Sequence, residues 1–231
     1  MIKARKAEER GRTLLDWLDS RHTFSFGDYY EPDQSGLRSL RVINEDRVQP
    51  GQGFPSHSHR DMEIVTYVLD GELEHKDSLG NGSVIHPGEI QRMSAGRGIT
   101  HSEFNHSRSA PVHFLQIWIL PDEPGLAPSY EQEAIDLSGA RGRFRAIATP
   151  AGGTRMVRLH QNAAISLAIM EPGEALAHKL PSRYAWLQIA TGAIAFNGET
   201  MRAGDGAAIY DEPEIELEAA SAAEILMFEL S

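Results

Sequence analysis

Two short runs of this 231-residue sequence place metal-binding groups two residues apart. His57 and His59 lie in Ser-His-Ser-His, and His101 and Glu103 in Thr-His-Ser-Glu. On a β-strand, residues i and i+2 project from the same face, so each run presents two donors to one side. If the two strands face each other, three imidazoles and one carboxylate converge, with room left for water or a substrate. Such an N₃O set suits Fe(II), Mn, Co, Ni, Cu or Zn, and not Ca or Mg, which prefer oxygen. A lone His-x-His carries little weight, because surface histidines pair by accident; two same-face pairs are far more specific. The sequence has no cysteine, which excludes thiolate ligands, cysteine nucleophiles and disulfides.

The elements that must position these groups read as strands. Runs such as EIVTYVLDGELEH, VHFLQIWIL, YAWLQIATGAIAF and AEILMFEL are rich in β-branched and aromatic residues, and 21 glycines and 12 prolines punctuate them, as turns between short strands require. Helix is scarce. With 41% hydrophobic residues the chain can bury a proper core. Its formal charge of −11 argues against a nucleic-acid partner. The first residues, MIKARKAEERGR, are too polar for a signal peptide, and no apolar run approaches the roughly 18 residues of a membrane span. The expectation is a cytoplasmic protein.

The chain also repeats itself. His57 and Gly71 recur as His178 and Gly192, both offset by 121 positions, and Asn81-Gly82 and Gly88 recur as Asn197-Gly198 and Gly204, offset by 116. The change falls in one place: ten residues separate Gly71 from Asn81, but five separate Gly192 from Asn197. A constant offset broken by one loop-length change is what a duplicated domain leaves. Each copy reads as strands joined by Asp-Gly, Thr-Gly and Asn-Gly turns, for which type I′ geometry is expected at Asn-Gly. Such hairpins suit a double-sheet jelly roll of the cupin kind. The expected fold is therefore all-β, two tandem cupin barrels spanning residues 1–138 and 139–231. In the second copy, His178 stands for His57 but Leu180 for His59, and the later offset places Leu217 and Ala219 where His101 and Glu103 stand. One ligand of four holds no metal, so the second barrel is expected to be metal-free.

GQGFPSHSHRDMEIVTYVLDGELEHKDSLGN and MSAGRGITHSEFN resemble the two cupin motifs of the pirin family, and TFSFGDYYEP, SLRVINED and QIWILP resemble it too. The resemblance implies a bicupin with one metal, usually iron as Fe(2+), bound in the amino-terminal barrel by His57, His59, His101 and Glu103. Cupins generally take their acidic ligand a few residues after His-x-His, where Glu63 sits with the same parity as His57 and His59, so strand alternation does not exclude it; the pirin pattern points instead to Glu103, leaving Glu63 as a structural carboxylate or one that orients a ligand. The resemblance extends to pirin-like quercetin 2,3-dioxygenases, which implies a flavonol-like substrate and O₂, with ring opening that releases carbon monoxide. Glu103 would then be the catalytic residue, taking the proton of the 3-hydroxyl. The competing expectation is a non-enzymatic regulator whose metal tunes a surface for a protein partner. His75 and Asp77, in the segment missing from the second copy, either line the mouth of the barrel or sit on a solvated hairpin. His22, His86, His106, His113 and His160 lack spacing partners and read as structural, and Trp17, Trp118 and Trp186 as core or rim.

Overall fold

In the computed structural model, which describes residues 1–231, four sheets, antiparallel except where Arg145–Thr149 runs parallel to Val157–Arg158, stack as two sandwiches, and the only helix is a pair of 3₁₀ turns at Ala7–Glu9 and Ser138–Ala140. The first sandwich joins a seven-stranded sheet to a four-stranded one. The larger sheet runs, from edge to edge, Ser129–Ala134, Glu89–Ser94, Glu63–Asp70, Val112–Ile119, Leu40–Val48, Leu18–His22 and Gly11–Leu14. The smaller runs Gly53–His59, Ile99–Asn105, Leu73–Asp77 and Gly82–Ile85. The second sandwich repeats this plan. Its four-stranded sheet is Ala175–Lys179, Glu214–Ala219, Ala193–Phe196 and Glu199–Arg202. The shared strand order gives the internal repeat a structural form.

The two seven-stranded sheets pack against each other, and this explains why their strands read as almost unbroken apolar runs. Each is buried on both faces, so alternation no longer separates oil from water. In Glu63–Asp70, Val65 and Tyr67 enter a cluster of 25 buried residues that also holds Leu226 and Phe228 of the second sandwich. Ile64 and Val68, of opposite parity, pack into separate clusters of the first sandwich. Truncating a leucine such as Leu115 or Leu226 in that shared core costs about 2–5 kcal/mol. Polar ties also join the two sandwiches, among them one from the Tyr67 hydroxyl to Glu224 Oε2 at 2.9 Å.

The first strand of the chain belongs to the second sandwich. Ile2–Arg5 pairs antiparallel with Gly206–Tyr210 and forms the edge of the second seven-stranded sheet. It fills there the place that Ser129–Ala134 fills beside Glu89–Ser94 in the first. Arg10 anchors the return, its guanidinium donating to Glu45 Oε2 of the first sandwich at 2.7 Å. Nothing in the tetrapeptide IKAR announces this exchange, because edge pairing is set by backbone hydrogen bonds available at the far end of the chain.

Turn chemistry follows the sequence only in part. Asn197 and Gly198 both adopt positive φ, 50° and 78°, as a type I′ turn demands. Asn81-Gly82 does not. Instead the Asp77 carboxylate caps that longer loop, accepting from the Leu79 and Asn81 backbone amides at 2.9 and 3.1 Å and from the Asn81 side chain. Gly71 and Gly192 are equivalent for a second reason. Each has positive φ, and a Cβ there would lie 2.6 Å from Pro111 O or 2.0 Å from Ala222 O.

Candidate metal centre

Gly53–His59 and Ile99–Asn105 are neighbours in the four-stranded sheet, with His101 directly opposite His57 and Ile99 opposite His59. The register slips between His101 and Glu103, so that Glu103 faces Phe54; a bulge here re-aims the carboxylate. The rings of His57, His59 and His101 come together, with centroids 4.4 Å apart for His57–His101, 4.8 Å for His57–His59 and 5.0 Å for His59–His101. One nitrogen from each lies within 4.8 Å of the others, close enough to share an ion.

The protonation of these rings favours metal binding. Burial, reinforced by the neighbouring imidazoles, pushes His101 down to about 3 and His59 to about 4, so both are neutral donors at pH 7. The His57 Nδ1 lies 2.8 Å from the Pro55 carbonyl, which fixes the proton on Nδ1 and leaves Nε2 bare. His101 Nε2 is buried with no hydrogen-bond partner. A buried imidazole nitrogen without a partner is costly unless a ligand supplies the contact. By this test the donor set fits a transition-metal ion.

Glu103 is buried beside the histidines and lines the same cavity. Both of its oxygens accept from Gln116 Nε2, at 3.0 and 2.8 Å, while Thr66 donates to Gln116 Oε1 at 3.0 Å. Its oxygens group with His75 and His101 in a second cluster that overlaps the first at His101. Glu63 points elsewhere. Its Oε2 accepts from the His160 backbone amide at 3.1 Å and lies 3.2 Å from His160 Nδ1, on the face that meets the second sandwich. The shared parity with His57 and His59 misleads because the turn through Asp61, at φ 48°, restarts the register in a different sheet.

The cavity is small, about 130 Å³, below the roughly 300–1,000 Å³ usual for drug-sized ligands. Phe26, Phe54, Ile64 and Trp118 supply apolar walls, and Thr13, Ser20, His22, Asn44 and Asp46 a polar one. Trp118 packs edge-on against His59 at 4.9 Å, and its Nε1 is buried without a partner. Its reading as core or rim therefore needs amendment: it lines the site. His22 is also drawn in, 2.8 Å from Asn44 Oδ1 and 2.9 Å from Thr13 Oγ1. Asp46 went unnoticed in the sequence, and the alternation of Asn44 and Asp46 along one strand was the available signal. Burial, followed by the charges of Glu103 and Glu45, raises its carboxyl to about 7 although Ser20 opposes the shift.

A family model described as Pirin matches residues 3–119, and one described as Quercetinase C-terminal cupin domain matches residues 146–230. The chain belongs to the pirin family. Among pirins and their relatives, a protein of Escherichia coli K12 named quercetin 2,3-dioxygenase is 43% identical over the whole chain and 99% of its own length. The crystal structure of YhhW from Escherichia coli superposes with a TM-score of 0.95 at 43% identity, covering 100% of this chain and 98% of that one. A second structure, of bacterial pirin YhhW in complex with nickel(II), gives 0.93 at 42% identity, covering 100% and 99%.

The second barrel of this pirin lacks the matching donors. His178 pairs with Ile215 as His57 pairs with His101, and the chain therefore loses two further residues before that strand. Ile215 and Leu217, not Leu217 and Ala219, stand for His101 and Glu103. The shift of two preserves the face, so the residues are apolar in either alignment. Ile215 and Leu217 join 16 other buried apolar residues that fill the barrel. His178 turns to Glu229 Oε1 at 3.1 Å.

Proposed function

We propose that the chain is a metal-dependent dioxygenase that opens the ring of flavonols such as quercetin with O₂ and expels one ring carbon as carbon monoxide. The observation that carries this reading is the unpartnered His101 Nε2, converging with His57 and His59 on a cavity walled by aromatic rings. The relatives' names supply the substrate class. His57, His59 and His101 would hold one divalent ion, with Glu103 as fourth donor; Fe(2+) is the favoured occupant, and a relative binds nickel(II). A transition metal there would act as a Lewis acid toward the substrate oxygen and connect it electronically to O₂.

The protein's own groups would do the rest. A flat flavonol would lie between Trp118, Phe26, Phe54 and Ile64, which exclude water from the reacting ring. Glu103 would take the proton of the 3-hydroxyl, and Gln116, held by Thr66, fixes the carboxylate that receives it. Asp46, whose carboxyl burial raises to about 7, would face the substrate's hydroxylated end with Asn44 and His22. Chemistry would belong to the amino-terminal unit, residues 1–138, and the filled barrel of residues 139–231 would support it, with Ile2–Arg5 exchanged between them. No helix is long and apolar enough to cross a membrane; a cytoplasmic location goes with this reading.

The test is anaerobic mixing of quercetin with metal-loaded protein. Binding should shift the flavonol absorbance, because the 3-hydroxyl ionises, and admitting O₂ should bleach it with one carbon monoxide per ring opened. A flavone without the 3-hydroxyl should do neither. Bleaching no faster than with metal-free protein would refute the flavonol reading and favour the regulatory alternative.

A further inference from the structure

His75 and Asp77 occupy the segment that the second barrel lacks, and they are not on a solvated hairpin. Both side chains are completely buried. His75 Nε2 lies 3.1 Å from Asp77 Oδ2, and Asp77 is itself held by the amides of Leu79 and Asn81 and by the Asn81 side chain. On its other side, His75 Nδ1 stands 3.5 Å from Nδ1 of His101. Tyr130 stacks on the His75 ring, with centroids 4.9 Å apart and planes 29° from parallel, and Tyr130 is tied in turn to Ser83 and to Gln132. The ring therefore has little freedom to turn.

Hydrogen-bond polarity fixes the protons along this line. A carboxylate only accepts, so His75 must carry its proton on Nε2 to satisfy Asp77. Its Nδ1 is then a bare acceptor, and the nitrogen facing it, His101 Nδ1, must be the donor. That leaves the lone pair of His101 on Nε2, the atom with no partner. We propose that Asp77 and His75 form a positioning dyad that locks His101 in the Nδ1–H tautomer and aims its Nε2 at the metal. The inference rests on the reading of His57, His59 and His101 as metal ligands. It adds two residues that touch neither metal nor substrate.

The second barrel supports a role tied to the site. There the strand pairing that sets His75 opposite Glu103 sets Phe196 opposite Leu217. The loop is five residues shorter, which removes the Asp77-capped turn. Where His101 is replaced by Ile215, the dyad is gone as well: Phe196 stands where His75 does, and the turn that supplies Asp77 is missing. A buried His–Asp pair is expensive to desolvate, and at the His75 position packing alone is served by the buried Phe196 of the sister barrel. The polar version persists where there is an imidazole to orient.

Two measurements test the dyad, one of which needs no metal. In metal-free protein, ¹⁵N–¹H NMR of the histidine side chains should show His101 protonated on Nδ1 and His75 on Nε2. His101 protonated on Nε2 would overturn the proposal outright. The second measurement is nickel(II) affinity by chelator competition. Wild type should bind, and His75→Leu and Asp77→Leu should bind about 10–100-fold more weakly, the usual effect of losing a partner that orients a metal-bound histidine. His75→Gln should recover most of the loss, because its amide oxygen can accept from His101 Nδ1–H. Thermal melts of each apo-variant identify any that fail to fold, and the NMR measurement on wild type decides independently of them. Folded His75→Leu protein with wild-type nickel affinity would refute the dyad alone. If wild type itself binds no nickel(II), or binds it equally after His57→Ala, the metal reading falls and the dyad's role with it.

Discussion

Replacing Asp46 by Asn should stabilise the metal-free protein at alkaline pH and flatten its pH dependence. Asp46 is fully enclosed, faces the cavity, and has its Oδ1 without a partner. Burial, then the charges of Glu103 and Glu45, raises its carboxyl from 3.8 to about 7. The folded state thus holds a proton that the unfolded chain releases near pH 3.8, and stability falls as pH rises between the two values. The penalty is absent below about pH 4, grows to pH 7 and is constant above. A shift of about three units corresponds to a ceiling of about 4 kcal/mol at pH 8, of which roughly 2–3 kcal/mol develops between pH 5 and pH 8. Asn cannot ionise, so D46N should lack this component. Urea denaturation of both proteins at pH 5 and pH 8, with chelator present throughout, reads the difference directly. An equal change in stability for wild type and D46N across that interval would refute the reasoning, and so would a variant less stable than wild type at pH 8.

Metal content should not exceed one ion per chain by elemental analysis; His57→Ala or His101→Ala should empty the site, whereas His178→Ala should leave it unchanged, since that ring faces Glu229. Glu103→Gln should abolish most O₂-dependent flavonol bleaching, whereas Glu63→Gln should show its effect mainly in thermal stability, because Glu63 engages His160. Glu45→Gln should destabilise by about 3–5 kcal/mol in denaturant titrations by leaving the buried Arg10 without its counter-charge. Although burial pushes Glu45 up, His113 and Arg10 hold it at about 2, so its contribution should be present above pH 4.5 and lost as pH falls toward 2.

What could be read from the sequence was local. The His57–His59 and His101–Glu103 spacing announces same-face donors because strand geometry has a period of two, whatever the rest of the chain does. The repeat showed itself through Gly71 and Gly192, where a side chain would collide with the next strand, and through the strands that hydrophobic runs define. These signals depend on neighbours in sequence, and they carried the fold class and the four proposed ligands.

Other features depend on which strands become neighbours in space. Glu63 and the histidines share a parity, but only the intervening turn decides that Glu63 meets His160 instead of the cavity. The two-residue shift that sets Ile215, not Leu217, opposite His178 is invisible until the strands are paired. Gln116 and Trp118 come from a strand far from His57 in sequence and Asp46 from the strand just before it, and tertiary packing alone makes them one wall. Ile2–Arg5 completes a sheet some two hundred residues away because an edge strand offers unpaired backbone groups to any segment that can reach them. The sequence determined which side chains could act as ligands, because that follows from residue type and strand period. Tertiary structure decided which of them meet and what surrounds them, because those depend on register and long-range pairing.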